Sequence, residues 1–198
     1  MANKCTTDKD LYEDVQYCQG SASLPGVRPH MYLTRRVNIV KFPKVLGDSA
    51  EKLEDVAVIK DNFVLAEGAK FAKIDLVDNE SEPTCENQGN EGAKSFINKL
   101  DAIVPGTQKK ATGLITKINN DDVVILYPQR DGAIRVIGND MFRVQAGLGQ
   151  SGGKQVTDSS QTKITVSVSD INPAPFYEGT FETEDGTIDG KTDTIVSD

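Results

Sequence analysis

The sequence predicts a mainly β protein: a two-sheet sandwich or barrel with one flanking α-helix and extended terminal arms. Three observations support this fold class. About eight segments have strand length and are rich in β-branched or aromatic residues, only one segment has helical periodicity, and strands and helices do not alternate as in a βαβ protein. The 198 residues suffice for one domain with a buried core. We divide the chain into an N-terminal arm (1–23), a β domain (24–183) and an acidic C-terminal tail (184–198).

The helix is predicted over residues 107–118. Its apolar residues follow the i, i+3, i+4, i+7 spacing of one helical face. Three lysines fall between these positions and are expected to face water. The apolar face consists of Ala111, Leu114, Ile115 and Ile118, and the lysines are Lys109, Lys110 and Lys117.

The segment 93–139 around this helix has the character of a core. Pro105-Gly106 ends the strand before the helix. Val123–Tyr127 is a continuous apolar run of strand length, which indicates a strand buried on both faces. Asp131-Gly132 then supplies the positive φ angles that a tight hairpin turn needs. Nothing in this segment is chemically reactive, so it predicts packing and not a catalytic site.

The remaining strands are predicted from β-branched composition and alternating patterns. A hairpin is expected where two of them flank Glu67-Gly68. The predicted strands are 30–42, 56–59, 63–66, 70–77, 141–144, 163–170 and 176–183.

Two long segments are predicted to be loops. Residues 78–92 are polar and acidic with no aliphatic anchor, and 146–161 are rich in Gly and Ser. Loops of this length in a compact domain are often functional or become ordered against a partner. Gly147–Gly152 matches the GxGxxG pattern, but no helix is predicted after it to receive a pyrophosphate, so we interpret it as part of the loop.

Composition excludes several classes of protein. A net charge of −8 and a pI near 4.8 argue against a broad nucleic-acid-binding surface, which needs clustered Lys and Arg. The basic residues between Arg28 and Lys44 are interpreted as a salt-bridged edge strand. The sequence has no apolar run of 18 or more residues, so no membrane span is predicted. The first residues lack the apolar region of a secretory signal, so synthesis in a cytoplasm is expected.

The chain offers no convincing catalytic, metal or cofactor site. Cys5, Cys18 and Cys85 are expected to be free thiols, because a zinc site would need His30, the only histidine, from a separate segment. The Asp121-Asp122 pair is typical of a turn, and no nucleophile motif such as GxSxG is present. We predict no enzyme activity and no cofactor.

Three segments resemble the major tail tube proteins of bacteriophages, in particular those in prophages of Bacteroidetes bacteria. They are Leu24–Pro43 (LPGVRPHMYLTRRVNIVKFP), residues 93–139 (from AKSFINKLDAIVPG to AIRVIGN) and Val168–Gly179 (VSDINPAPFYEG). The resemblance implies a virion protein made in the host cytoplasm, with six copies in a ring whose strands join into an inner β-barrel. Stacked rings would form the tube through which DNA leaves the capsid without specific binding.

The resemblance also implies partners and sites. The partners would be other copies of the chain, a tail terminator, a baseplate or tail tip, and a sheath where the tail is contractile. An acidic lumen would repel DNA and let it slide. The candidate lumen-facing residues are Asp75, Asp101 and Asp170. The loop 78–92 would fold against an adjacent ring, and its candidate contact residues are Glu80, Glu82, Glu86 and Glu91.

Three alternatives remain open at this point. Another virion component, such as a head-tail connector or decoration protein, would share the β-rich character but stop at one ring. A monomeric binding module, for example for carbohydrate, would need exposed aromatic platforms, and the chain has no Trp. An enzyme of unrecognised type would need buried titratable residues in a deep pocket.

Overall fold

A computed structural model describes residues 11–16, 18–20 and 24–196. It confirms the predicted fold class, a mainly β sandwich with one α-helix in these residues. The strands are β1 (His30–Arg35), β2 (Ile39–Lys41), β3 (Val58–Ile59), β4 (Val64–Leu65), β5 (Ala72–Asp75), β6 (Glu82–Gln88), β7 (Ser95–Pro105), β8 (Val123–Pro128), β9 (Ile134–Ile137), β10 (Gln145–Ser151), β11 (Gln161–Asp170), β12 (Phe176–Tyr177), β13 (Thr180–Thr183), β14 (Gly186–Asp189) and β15 (Thr194–Ile195). The helix α1 is Lys109–Ile118, and 3-10 turns cover Arg36–Asn38, Gly47–Ser49 and Leu53–Asp55.

Two main sheets form the sandwich. The central sheet has the strand order β3-β12-β9-β8-β1-β5, and the outer sheet has the order β10-β11-β7-β6. Pairing is antiparallel except between β12 and β3. A three-stranded C-terminal sheet (β13-β14-β15) and the pair β2-β4 complete the described fold. Both main sheets are open, so of the two predicted forms the sandwich is observed.

The central sheet is covered on both faces. Every residue of β8 is buried, as its continuous apolar run predicted. Ile125 and its same-face neighbours pack against the outer sheet in one core, around Leu100 and Val166. Leu126 faces the opposite way, into a second core that contains Phe71 and Phe181. The molecule therefore has two apolar layers, one on each side of the central sheet.

The predicted helix is confirmed, with its first turn at Lys109 and its end at Ile118. Ala111 and Ile118 are buried, and Leu114 and Ile115 pack against the first core. The three lysines of the opposite face are exposed. The helix is thus amphipathic, and its apolar face packs against the core between the two sheets.

The hairpin between β8 and β9 is also confirmed, and its turn depends on Gly132. The Gln129 amide donates to the Ala133 carbonyl at 2.8 Å, and the Asp131 carboxylate accepts from the Ala133 amide at 3.0 Å. Gly132 alone carries the positive φ, +100°. A Cβ at this position would also lie 2.9 Å from the Thr192 carbonyl oxygen, so another residue would strain both the turn and its contact with the C-terminal sheet.

The prediction of a loop over 78–92 was wrong for residues 82–88. Residues Glu82–Gln88 form β6, which pairs with β7 in an antiparallel hairpin from Glu82 opposite Asp101 to Gln88 opposite Ser95. β6 lies at the edge of the outer sheet and is largely exposed. Its backbone hydrogen bonds to β7 hold it in place, so apolar side chains are not required and the sequence pattern does not reveal the strand.

The prediction of a loop over 146–161 was wrong for its first half. Residues Gln145–Ser151 form β10, paired with β11 along its whole length. The GxGxxG match therefore runs along a strand, which is neither a loop nor the strand-to-helix turn of a dinucleotide site.

The prediction of an extended arm for the C-terminal tail was also wrong for its described residues. β14 pairs with both β13 and β15 within the same chain. The predicted strand 176–183 is two strands in different sheets, separated at Gly179. A Cβ on Gly179 would lie 2.6 Å from the Asn62 side-chain oxygen, so only glycine lets the chain pass there.

Three smaller strand predictions were wrong as well. The expected hairpin around Glu67-Gly68 does not form, because β4 pairs with β2 and β5 pairs with β1. The predicted strand 30–42 is interrupted by the 3-10 turn Arg36–Asn38, and 141–144 contains bends without strand pairing. The described residues of the arm, 11–16 and 18–20, contain no helix or strand, and the rest of the arm lies outside the described residues.

Candidate assembly surface

The outward side of the outer sheet, named here the polar face, lies opposite the first core and has no second core packed on it in the described fold. In β7 and β11 buried and partly exposed residues alternate, so Leu100, Ala102, Ile164 and Val166 face the core. Their neighbours along each strand face outward. Strand register places on the polar face Glu82, Thr84, Glu86, Lys99, Asp101, Lys163, Thr165 and Ser167, together with Ile97 and the buried Ile103.

Asp101 is the electrostatic centre of the polar face. Its carboxylate accepts hydrogen bonds from Thr165 Oγ1 at 2.5 Å and Lys99 Nζ at 2.9 Å, and Lys163 Nζ lies 3.6 Å away. Partial burial works to raise the pKa of Asp101, but the Thr165 and Lys99 hydrogen bonds and the two lysine charges outweigh it and lower that pKa. Asp101 therefore stays ionised and forms ion pairs with both lysines.

The charge of the polar face follows from its register. The strands place three carboxylates on this face, those of Glu82, Glu86 and Asp101, and only two lysines, so its net charge is slightly negative. Because the lysines are held by Asp101, the surface offers no unpaired basic group to a phosphate backbone.

The outer sheet has two free edges. β6 and β10 lie at its ends, and among the described residues neither pairs with a second strand on its outer side. Each edge strand is seven residues long. Free edges present unpaired N–H and C=O groups, which can pair with another chain. Pro83 in β6 fits an edge position, because proline is tolerated in a sheet where its missing N–H would point away from the neighbouring strand.

The three candidate lumen-facing residues do not lie on one surface. Asp101 is on the polar face, whereas Asp75 is exposed at the end of β5, at the edge of the central sheet. Asp170 is 7% exposed and accepts from the Asn139 side chain and the Asn172 amide. Its assignment as lumen-facing is corrected, since a buried carboxylate that orders a bend cannot line a channel. Asp170 occupies the inward register position of β11, opposite Phe96.

The four candidate contact glutamates are all exposed, but two of them lie on a strand and not on a loop. Glu82 and Glu86 belong to β6, Glu80 precedes it, and Glu91 lies in the turn between β6 and β7. They surround a free sheet edge.

A second cluster, which the sequence analysis did not identify, joins the region of β1 to the C-terminal sheet. The Asp193 carboxylate accepts from Arg28 Nη1 at 2.8 Å and Tyr32 Oη at 2.8 Å, and lies 3.0 Å from His30 Nε2. Its side chain is only 1% exposed. Asp193 lies between β14 and β15 with a φ of +57°, a strained conformation for a residue other than glycine.

The electrostatics of this Asp193 cluster favour the ionised carboxylate. Burial works to raise the pKa of Asp193, but hydrogen bonds from His30, Tyr32 and Arg28 outweigh it and lower that pKa. Burial, together with the hydrogen bond to Asp193, raises the pKa of the Tyr32 hydroxyl. The carboxylate is enclosed by its partners, so the cluster fastens the C-terminal sheet to β1 and has no open position for a substrate. Alternation in β1 predicts that Arg28, His30 and Tyr32 share a face, but no sequence signal identifies Asp193 as their partner.

The described residues contain no group of three or more His, Cys, Asp or Glu side chains arranged to hold a metal ion. None of the helices in the described part of the chain is long and apolar enough to cross a membrane. Cys85 is an exposed free thiol on β6, and partial burial of the sulfur raises its pKa.

Comparison of the chain with protein-family models, with curated proteins and with solved structures finds no match.

Proposed function

We propose that the chain is a structural subunit that assembles edge to edge into rings, and that stacked rings form a phage tail tube for DNA passage. The resemblance of the three sequence segments suggests the class of assembly. The observation that carries the proposal is the outer sheet, which combines two free edges of equal length with one polar, slightly negative face.

The proposed ring follows from this geometry. β10 of one copy pairs with β6 of the next, so the outer sheets join into one barrel whose polar faces line the channel. With the six copies that the resemblance implies, 24 strands at a spacing of about 4.8 Å enclose a barrel about 37 Å across between backbones, and wider when the strands tilt. The central sheet, whose faces are both covered, would then lie outside the barrel.

The polar face also suits a channel for DNA. A duplex carries dense negative charge, and proteins that hold it do so with unpaired Lys and Arg side chains. On this face, Lys99 and Lys163 are bound by Asp101. DNA would therefore meet a surface with no free cation and could slide along it.

The rival functions lack such support in the described residues. A carbohydrate-binding module would present aromatic rings on an exposed face, but Phe63, Phe71, Tyr177 and Phe181 stack on one another inside the second core. A connector or decoration protein remains a distinct outcome of the experiment below, since it would form single rings without stacking.

The test removes one backbone N–H group that points outward from the free edge of β6. Backbone N–H groups of alternate β6 residues point away from β7, and the position of Pro83 is one of these. Asn87 is four residues further along β6, so its N–H group also points outward. Asn87→Pro should leave the β6–β7 ladder intact and block pairing to a neighbouring β10. The matched control Asn87→Ala retains the N–H group.

We expect negative-stain electron microscopy and light scattering to show rings and tubes for the unchanged chain and for Asn87→Ala, and monomers for Asn87→Pro with an unchanged circular dichroism spectrum. Tubes formed equally well by folded Asn87→Pro would contradict edge-to-edge closure. Single rings that never stack would favour the connector, and a chain that stays monomeric at high concentration would contradict the proposal.

A further inference from the structure

The free edge of the outer sheet at β10 lies beside the basic surface of α1. Gln150 Nε2 in β10 donates to Thr112 Oγ1 in α1 at 3.1 Å, and this hydrogen bond holds the helix next to the edge. The exposed surface of the helix carries three lysines, named here the basic flank: Lys109, Lys110 and Lys117. The β10 edge is therefore accompanied by three positive charges.

The basic flank is not neutralised within its own chain. The ion pairs among the described residues all involve other cations. The sequence has no Asp or Glu between Asp101 and Asp121, and β10 has no charged residue. Asp121, which follows the helix, is bound by Arg35. These positive charges thus remain available to another molecule.

The free edge at β6 carries the opposite charge. Four exposed glutamates lie on this strand or next to its ends, and none of them takes part in an ion pair in the described structure. They are named here the acidic flank: Glu80, Glu82, Glu86 and Glu91. Lys94 is the only basic residue in the segment 78–94, and Lys99 on the adjacent strand is bound by Asp101. The β6 edge is therefore negative.

Opposite charges at the two edges of one sheet restrict how two copies can pair. Two β6 edges would bring the glutamates of both copies together, and two β10 edges would bring the lysines together. Only β10 against β6 brings unlike charges together. Contacts between unlike edges are heterologous and can close into a ring, whereas contacts between like edges end at a two-fold dimer.

We propose that attraction between the basic flank of one copy and the acidic flank of the next selects the β10–β6 contact, and so makes the assembly a ring. The inference rests on the proposed function, which supplies the edge-to-edge contact. It adds the charges by which one copy recognises its neighbour.

The attraction acts across the sheet and does not need direct ion pairs. Gln150 also donates to the buried Thr162 at 2.9 Å, so α1 lies on the inward side of the outer sheet. Glu82 and Glu86 lie on the polar face. Charges separated in this way attract within a Debye length, about 8 Å at physiological ionic strength. Their main effect is on the rate of association and on the choice of partner.

The test reverses the charge of one flank at a time in the full chain. The helix variant combines Lys109→Glu, Lys110→Glu and Lys117→Glu. The edge variant combines Glu80→Lys, Glu86→Lys and Glu91→Lys, and it keeps the residue opposite Asp101 unchanged. Each variant has charges of one sign on both flanks. At low salt we therefore expect the rate of ring formation, followed by light scattering, to fall at least about ten-fold for each variant alone.

Mixing the two variants reverses this loss. The helix variant is acidic on both flanks and the edge variant is basic on both, so each contact between unlike chains joins opposite charges. We expect the mixture to form rings at about the rate of the unchanged chain, with equal numbers of the two chains by native mass spectrometry. Rings formed equally well by each variant alone would overturn the inference. A mixture that forms no rings, although circular dichroism shows both variants folded, would also overturn it.

A third variant is the control for net charge. It combines changes at exposed lysines outside the outer sheet and α1: Lys41→Glu, Lys44→Glu and Lys73→Glu. It makes the same change in net charge as the helix variant but should slow assembly less than about two-fold. Raising the salt concentration to about 1 M should remove the difference between the two variants. Equal slowing at low salt would show that net charge, and not the basic flank, controls assembly.

Electron microscopy of the same samples separates the two proposals. Rings from the mixture that never stack would support the charge selection and contradict the tube. Tubes that form alike from every variant would support the tube and overturn the charge selection. Two-fold dimers of the unchanged chain, or no assembly at any salt concentration, would contradict both.

Discussion

The central sheet and the outer sheet have similar antiparallel ladders but differ in what covers them. The central sheet has apolar cores on both faces, and all six residues of β8 are buried. The outer sheet has a core on one side only, and its other side presents charged and hydroxyl groups to solvent. The central sheet is therefore packed on both faces, whereas the outer sheet keeps one face and two edges accessible.

The largest difference between the two sheets is expected in stability. Leu126 in β8 is fully buried, and Leu126→Ala should lower the free energy of unfolding by about 2 to 5 kcal/mol because a cavity opens in the second core. Thr84→Ala on the exposed edge of the outer sheet should change it by less than about 0.5 kcal/mol. Urea unfolding followed by circular dichroism measures both. Equal losses would mean that the exposed edge of the outer sheet contributes as much to stability as the buried strand β8.

A smaller effect is expected from the contact that fastens the C-terminal sheet to β1. Asp193→Asn removes a buried charge from Arg28 and should lower the free energy of unfolding by about 2 to 4 kcal/mol at pH 7. Asp185→Asn, an exposed change in the same sheet, is the control and should have little effect.

This loss should depend on pH with a defined sign. The native pKa of Asp193 is lowered, so its stabilising contribution is complete above the unfolded pKa of about 3.9 and is lost as the pH falls through the native pKa. The difference between the unchanged chain and Asp193→Asn should therefore shrink as the pH falls below about 4. A difference that stays constant down to acid pH would show that packing, not charge, causes the loss.

A small effect on stability is expected from the loss of the Asp101 charge on the polar face. Asp101→Asn should change the free energy of unfolding by less than about 1 kcal/mol, since its ion pairs are partly exposed. It should nevertheless raise the affinity of the chain for duplex DNA at low salt, because Lys99 and Lys163 lose their counter-charge. Fluorescence anisotropy at several salt concentrations measures this affinity. Asp75→Asn on the central sheet makes the same change in net charge. An equal rise in DNA affinity with that variant would show that net charge, and not the polar face, controls the affinity.

Sequence patterns worked where side-chain burial controls the structure. The helical spacing of Ala111, Leu114 and Ile118 and the apolar run of β8 predicted the helix and the doubly buried strand. The turn at Gly132 was predicted because few residues adopt its backbone conformation. In each case local chemistry and long-range packing favour the same structure.

The patterns failed where pairing to a distant strand controls the structure. β6 and β10 are polar or rich in glycine, and they are strands because β7 and β11 offer backbone partners. For the candidate site, Asp101 lies on an outward strand position. Asp170 was misplaced because alternation predicts which residues share a face but not which face is covered.

The sequence by itself determined the fold class, the helix, the core strand and its hairpin, since these depend on periodicities of apolar residues and on a glycine turn. Only the tertiary structure decided that the outer sheet has four strands with free edges, that the C-terminal strands return to their own chain, and that Asp193 binds Arg28 and Tyr32 across more than 160 residues. The physical reason is that backbone pairing and buried ion contacts join groups far apart in the chain. Their energy depends on a geometry that no local pattern specifies.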